Sequence, residues 1–237
     1  MNVSIDTSYK SLNKHHEELC GDKVEILKTV DSHILILSDG MGSGDKANIL
    51  ATLTSKILGT MFLNGASIDE CVETIVKTLP VCQERQIAYS TFSILQIFNS
   101  GEGYLVEFDN PSCVFIRDRQ LLKIPYTERT IELKTVREYR FDVQLNDCFI
   151  LLSDGVIHAG VGQVLNFGWT WDSMAEYALQ SVKSTLSASR LATMLIKACK
   201  DLYNDIPGDD TTVAVARVIE TKVINIFTGP PANKKDD

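Results

Sequence analysis

The chain of 237 residues has no apolar run approaching the roughly 20 residues that span a bilayer; stretches such as 34–37 and 148–152 end after a few residues. Its opening, MNVSIDTSYK, has no apolar segment of the kind that directs export. A cytoplasmic protein without a membrane partner is therefore expected. Six cysteines stand at 20, 71, 82, 113, 148 and 199. None forms a CxxC pair, which excludes zinc-ribbon and thioredoxin-like signatures, so reduced thiols filling core positions are expected. Basic charge is short: Lys+Arg is 23 against Asp+Glu 31, a formal net charge of −8. The chain lacks the basic excess that draws counterion-coated phosphates, so no nucleic-acid partner is expected. The four histidines, 15, 16, 33 and 158, show no metal-ligand spacing. Gly40-Met41-Gly42-Ser43-Gly44 reads GxGxG and not GxGxxG, and no GxxxxGK[ST] occurs, so neither common nucleotide loop is present.

Alternation and short apolar runs predict strands over 23–30, 33–38, 91–98, 104–108, 113–117, 120–124, 137–143, 148–153 and 211–219. Helical spacing predicts helices over 45–64, 71–79, 172–185 and 187–203. Ser67-Ile68-Asp69-Glu70 is a capping box for the second of these, and Pro80 ends it. Strands arrive in blocks joined by short turns, and helices arrive in pairs. That order excludes a doubly wound sheet, in which strand and helix alternate singly. The expected fold is α+β, a four-layer αββα sandwich of two mainly antiparallel sheets flanked by helix pairs. One domain is expected over 1–219, with 1–19 an N-terminal extension and 220–237 a tail that is polar from 228.

Two apolar strands end in the same tripeptide, Ser38-Asp39-Gly40 and Ser153-Asp154-Gly155. An Asp ending a strand that is apolar on both faces sits at the rim of the core, where a lone carboxylate is costly to desolvate. A third acidic pair, Asp209-Asp210, precedes the last strand. Converging carboxylates repel one another unless cations lie between them, and hard oxygen ligands suit Mg2+ or Mn2+.

Asp39-Gly40-Met41-Gly42-Ser43-Gly44, Ser90-Thr91-Phe92, Ser153-Asp154-Gly155 and Gly208-Asp209-Asp210-Thr211-Thr212-Val213 stand in the order and spacing of the metal-dependent protein phosphatase (PPM) family. The chain resembles most the bacterial branch named for stage II sporulation protein E (SpoIIE-like). Cys20-Gly21-Asp22 resembles that branch's Ser-Gly-Asp, and Asn110-Pro111-Ser112 its Thr-Pro-Ser turn. The likeness runs over roughly residues 20–219.

The resemblance implies a binuclear Mn2+ or Mg2+ centre that hydrolyses phosphoserine or phosphothreonine in proteins. It makes Asp39 a bridge between two ions, gives the Gly40 carbonyl to one of them and Asp154 and Asp209 to the other, and has Asp22 act through water. Asp210 is the alternative to Asp209. The absence of an evident Ser-His-Asp set agrees with a reaction that needs no side-chain nucleophile. The branch suggests a phosphorylated anti-sigma-antagonist-like regulator as substrate. It also suggests a regulator or homodimer contact through the helices over 45–79. Many members outside the branch carry a His soon after the first Asp-Gly; Met41 and Gly42 stand here, so the group that protonates the leaving oxygen is unassigned. Gln86-Ile87-Ala88-Tyr89 lacks the Asp that holds a third ion in some members, so no third ion is expected. Two other readings stay open: a catalytically silent binding module of the same fold, and a metal-dependent hydrolase of a small phosphate ester.

Overall fold

Strands that are apolar on both faces need cover on both, and the chain supplies it with two stacked sheets. The computed structural model describes residues 3–78, 81–82, 87–88, 90–131, 134–183 and 185–220. In chain order the first half comprises β1 Val3–Leu12, β2 Asp22–Lys28, β3 Ser32–Gly40, α1 Gly44–Leu63, α2 Ile68–Thr78, β4 Val81–Cys82, β5 Ile87–Ala88, β6 Ser90–Phe98 and β7 Glu102–Phe108. The second half comprises β8 Val114–Arg117, β9 Gln120–Leu121, β10 Tyr126–Ile131, β11 Lys134–Asp142, β12 Cys148–Leu152, α3 Asp154–Ile157, α4 Trp171–Ser181, α5 Ala188–Leu202 and β13 Thr211–Glu220. One sheet has the order β1-β13-β12-β8-β9 and the other β10-β11-β7-β6-β3-β2; β4 and β5 pair with each other. Each pairing between these strands is antiparallel.

The two-residue period of a strand sorts side chains between layers. On β3, Ile34 and Ile36 turn outward to Leu58 and Phe62 of α1 and to Val72 and Ile75 of α2. The alternate Leu35 and Leu37 turn inward, where they meet Phe149 and Leu151 of β12 and Ala214 and Ala216 of β13. The remaining face of β12, Ile150 and Leu152, packs under Met174 and Ala178 of α4 and Leu191 and Leu195 of α5. Three apolar layers therefore separate four layers of structure, the αββα sandwich that block order and helix pairing predict. The capping box forms: Glu70 accepts from the Ser67 backbone N–H at 2.8 Å, and Ser67 Oγ accepts from the Glu70 N–H at 3.2 Å.

The structure departs from the sequence reading at its edges. Residues 1–19, expected as an extension, contain β1, which pairs with β13 from Val3↔Glu220 to Leu12↔Thr211. Without it β13 would present a long apolar edge, a known hazard. β10 and the single turn of α3 are also absent from the sequence reading. Its statements on Leu79, Pro80, Gln86, Tyr89, Ser184 and the tail beyond Glu220 fall outside the described residues, as does the side chain of Cys82. Cys71, Cys148 and Cys199 are buried free thiols, as core filling predicts, and burial pushes each up to about 12.

Candidate metal centre

The repeated Ser-Asp-Gly endings belong to different sheets: β3 delivers Asp39-Gly40, and β12 delivers Ser153 with Asp154 opening α3. Stacking the sheets brings these ends to one edge. β13 starts at the same edge, because it runs antiparallel to β12 with Leu152↔Val213 as the last register pair. Ser153 fastens the junction, its N–H donating to the Thr212 carbonyl at 3.0 Å and its Oγ accepting from the Thr212 N–H at 2.8 Å. Asp39, Asp154 and Asp209 line one cleft of about 350 Å³ with Gly40, Met41, Gly42, Ser43, Lys14, Thr91, Asp109 and Asn110.

Asp22 and Asp210 form the floor behind that cleft, each only 4 % exposed. Asp22 stands directly opposite Asp39 in the β2–β3 register. Like charges so placed repel. Asp210 Oδ1 accepts from the Lys14 backbone N–H at 3.0 Å, while Asp210 Oδ2 and both Asp22 oxygens are buried without a hydrogen bond of ordinary geometry. Glycine permits this crowding. A Cβ on Gly21 would lie 2.7 Å from Asp210 Oδ2, one on Gly40 would collide with the Ala47 carbonyl of α1, and one on Gly155 with the Asp210 carbonyl.

Burial dominates the electrostatics. It pushes Asp22 up to about 7; the nearby Ser153 and Thr212 hydroxyls offset part of this, and the charges of Asp210 and Asp154 add to it. It also raises Asp39 well above the usual carboxylate range, with Asp22, Asp154, Asp209 and Asp210 adding to it. Asp209 is raised by burial and by Asp154, against the Asp210 N–H and Lys14, which favour its charge. A site that leaves buried carboxylate oxygens unpartnered and mutually repelling has the donor chemistry of a hard-cation site. Among the described residues no three carboxylate, imidazole or thiol groups already close on a single point. The residues thus fit divalent cations by donor type, burial and charge, without a finished coordination sphere.

Each carboxylate singled out in the sequence lies at this edge, divided between cleft and floor. Asp209 lines the cleft and Asp210 faces the floor. Sequence reasoning missed Lys14 and Asp109. Lys23 and Lys46, near the motifs in sequence, do not line the cleft, whereas Lys14 does. It arrives through the segment between β1 and β2, pinned by the bond from its own N–H to Asp210 and by the His15 N–H donating to the Pro207 carbonyl at 2.9 Å. Its only local signal was a cation in a loop. Asp109 has a positive φ of 53°, uncommon outside glycine. It is open to solvent at the mouth; partial burial raises its carboxyl and Arg137 opposes the shift.

The structure is similar to that of the phosphatase domain of the cell fate determinant SpoIIE from Bacillus subtilis, with a TM-score of 0.71 at 18% identity over 97% of this chain and 99% of that one. A longer structure, of the PP2C phosphatase domain and a fragment of the regulatory domain of the same protein, gives 0.78 at 22% identity, covering 93% of this chain and 65% of that one. RsbX in complex with magnesium gives 0.62 at 16% identity, covering 91% and 98%. These likenesses show a PP2C-type phosphatase fold. No curated protein gives a significant match. The model of the stage II sporulation protein E (SpoIIE) family matches residues 30–219, a span that holds Asp39, Asp154 and Asp209, and the chain belongs to that family.

Proposed function

We propose that this chain is a Mn2+- or Mg2+-dependent phosphatase that hydrolyses phosphoserine or phosphothreonine on a bacterial regulatory protein. The observation that carries the reading is the convergence of Asp39, Asp154 and Asp209 on one cleft above the buried pair Asp22 and Asp210. Asp39, the Gly40 carbonyl, Asp154 and Asp209 would hold two ions, with Asp22 acting through water. Bound there, divalent cations supply positive charge against the phosphoryl oxygens and make water more acidic. The chain's own part is to place charge and exclude alternatives. Phosphate monoesters hydrolyse so slowly in water that charge placement has the most to contribute. Lys14 at the cleft wall would offer its ammonium to a phosphoryl oxygen.

The regulatory setting of structural neighbours, among them the RsbU and RsbW domains of Rv1364c from Mycobacterium tuberculosis, supports an anti-sigma-antagonist-like phosphoprotein as substrate. Among the described residues no helix is long and apolar enough to cross a membrane, and a cytoplasmic location fits a substrate of that kind. A regulator or a second copy would act through α1, which starts at the metal turn and packs its Ala47 against Gly40. Ile49 and Leu53, one turn apart on α1, are 57% and 54% exposed and offer the apolar contact.

The test is hydrolysis of p-nitrophenyl phosphate and of a phosphoserine peptide with Mn2+. Parent activity that collapses in Asp39→Asn and Asp154→Asn is expected. An inactive parent would favour the silent binding module. Activity untouched by both substitutions would defeat the site assignment, and activity on small phosphates alone would favour the metabolite hydrolase.

A further inference from the structure

Beside the metal cleft the sandwich is left open. A cavity of about 620 Å³ reaches the layer between the sheets, where Leu105 of β7 and Tyr139 of β11 lie with Phe115 of β8. These belong to the same inner core as Phe149 and Leu151. The cavity lies by the edge that ends in β9 in one sheet and β10 in the other. Leu122 and Ile124, in the segment that crosses between those two strands, and the half-exposed Tyr126 of β10 form its outer wall. Ile157 and Trp171 close the side toward α3 and α4. The volume is that of a ligand pocket, about 300–1,000 Å³.

The inner wall decides what chemistry fits, because its polar groups are already engaged with one another. Glu107, buried, accepts from the Cys113 N–H at 2.6 Å and from the Tyr139 hydroxyl at 2.7 Å, and pairs with Arg137 at 3.4 Å. Arg137 also donates to Ser112 Oγ at 2.9 Å and to the Asn110 carbonyl at 3.1 Å. Trp171 Nε1 donates to the Ser112 carbonyl at 2.7 Å. A ligand bringing a charge inside would find few bonds there and would lose those it makes with water. The lining residues Lys123 and Asp172 are exposed, at the rim. The cavity favours an apolar group.

Its place decides whose group that is. Asn110 lines this cavity and the metal cleft alike. Its side chain is fixed, Oδ1 accepting from Thr91 Oγ1 at 2.6 Å and Nδ2 donating to Ser93 Oγ at 3.1 Å, so the two hollows keep a constant separation. An extended chain advances about 3.3–3.6 Å per residue. A substrate whose phosphate sits among Asp39, Asp154 and Asp209 therefore carries a side chain over the Asn110 wall within a few residues. Resting on the phosphatase reading above, we propose that the cavity is a substrate subsite that takes a large apolar side chain of the phosphoprotein, a few residues from its phosphoserine or phosphothreonine. The substrate class is thereby narrowed to segments that place an aromatic or branched aliphatic residue at one register beside the phosphate.

The experiment measures kcat/KM at saturating Mn2+ for phosphoserine peptides of an alanine host, in which a single Phe is moved one position at a time on either side of the phosphoserine. The reference substrate is p-nitrophenyl phosphate, too small to reach over the wall. In the parent, Phe at one register is expected to raise kcat/KM about 10- to 100-fold over the all-alanine peptide, the effect of burying one large apolar side chain. Ile124→Trp narrows the cavity and Tyr126→Ala removes part of its outer wall; neither residue lines the metal cleft. Both variants, shown to be folded by thermal melts, are expected to lose most of the Phe preference and to keep the parent's kcat/KM on p-nitrophenyl phosphate. A parent indifferent to Phe at every register overturns the proposal without any variant, and so does a preference kept in either folded variant. Turnover of p-nitrophenyl phosphate that falls as far as that of the Phe peptide also overturns it, because the cavity would then act on the metal cleft, as a site for a small apolar effector would. A parent inactive on every substrate sinks the phosphatase reading and this proposal with it; a parent active on p-nitrophenyl phosphate and on the peptides without a Phe preference sinks this proposal alone.

Discussion

Asp22, buried, and Asp39, at the cleft, face each other across paired strands, and that arrangement has a pH signature. An acid whose pKa rises on folding binds its proton more tightly in the native state. Its contribution to stability is full below the ordinary carboxylate range and is lost as pH rises through the native value. For Asp22, raised to about 7, the metal-free protein loses stability between about pH 4 and pH 7, at about 1.4 kcal/mol per unit for a single group. Asp39 works in the same direction. Urea unfolding in chelator across this range, for the parent and Asp22→Asn, measures it. The stability difference between the two is expected to move in favour of the variant as pH rises; a difference flat with pH would count against the buried-charge description. Gly40 tests the packing beside it. Its Cβ position is filled by the Ala47 carbonyl, so Gly40→Ala forces α1 away from β3. Overpacking of this kind costs about 1–3 kcal/mol, visible as a lower urea midpoint with an unchanged slope.

At the scale of elements, β1 and β10 escape the sequence reading for different reasons. β1 alternates, with Val3, Ile5, Thr7 and Tyr9 on one face against Ser4, Asp6, Ser8 and Lys10 on the other, a strand pattern that the reading of residues 1–19 as an extension passes over. β10, an edge strand of sequence YTERTI, is polar on most of its length and offers no apolar alternation, as an edge strand tolerates. The central strands were legible because burial on both faces leaves unbroken apolar runs, and the helices because their spacing and caps are local. The same division runs through the site. Asp39 and Asp154 each end an apolar strand, and Asp209 precedes one, so local pattern found them. Lys14 and Asp109 reach the cleft through contacts far apart in sequence, which no local pattern encodes. β1 also supports a helix. Asp6 Oδ2 accepts the backbone N–H of Ala188, the first residue of α5, at 2.8 Å. A carboxylate at that position satisfies an orphan donor and favours the helix dipole. Asp6→Ala is expected to lower stability by about 0.5–2 kcal/mol in chemical unfolding. No change would mean that the Ser187 cap, whose Oγ accepts from the Arg190 N–H at 3.3 Å, suffices alone.

For the molecule as a whole, the net charge of −8 acquires a location. Five of the 31 acidic residues, Asp22, Asp39, Asp154, Asp209 and Asp210, gather at one edge of the sandwich, where repulsion between them opposes folding of the metal-free chain. Any cation that binds only the folded arrangement then stabilises all four layers at once, because the carboxylates come from both sheets and from the start of β13. That gain grows as RT ln(1 + [L]/Kd), about 2.7 kcal/mol at a hundredfold excess of ion over Kd. For a chain of 150–250 residues each kcal/mol raises the unfolding temperature by about 2–4 °C, so saturating Mn2+ is expected to raise Tm by about 5–10 °C. Asp39→Asn and Asp154→Asn should lose most of that rise, although each relieves repulsion and so holds or raises the Tm measured in chelator. The two effects have opposite signs, which separates a metal centre from a merely crowded acidic edge. A parent whose Tm ignores Mn2+, or variants that respond as the parent does, would show that this edge is acidic for some reason other than holding cations. Thermal melts at fixed pH and ionic strength, with and without the ion, decide between them without any assay of turnover.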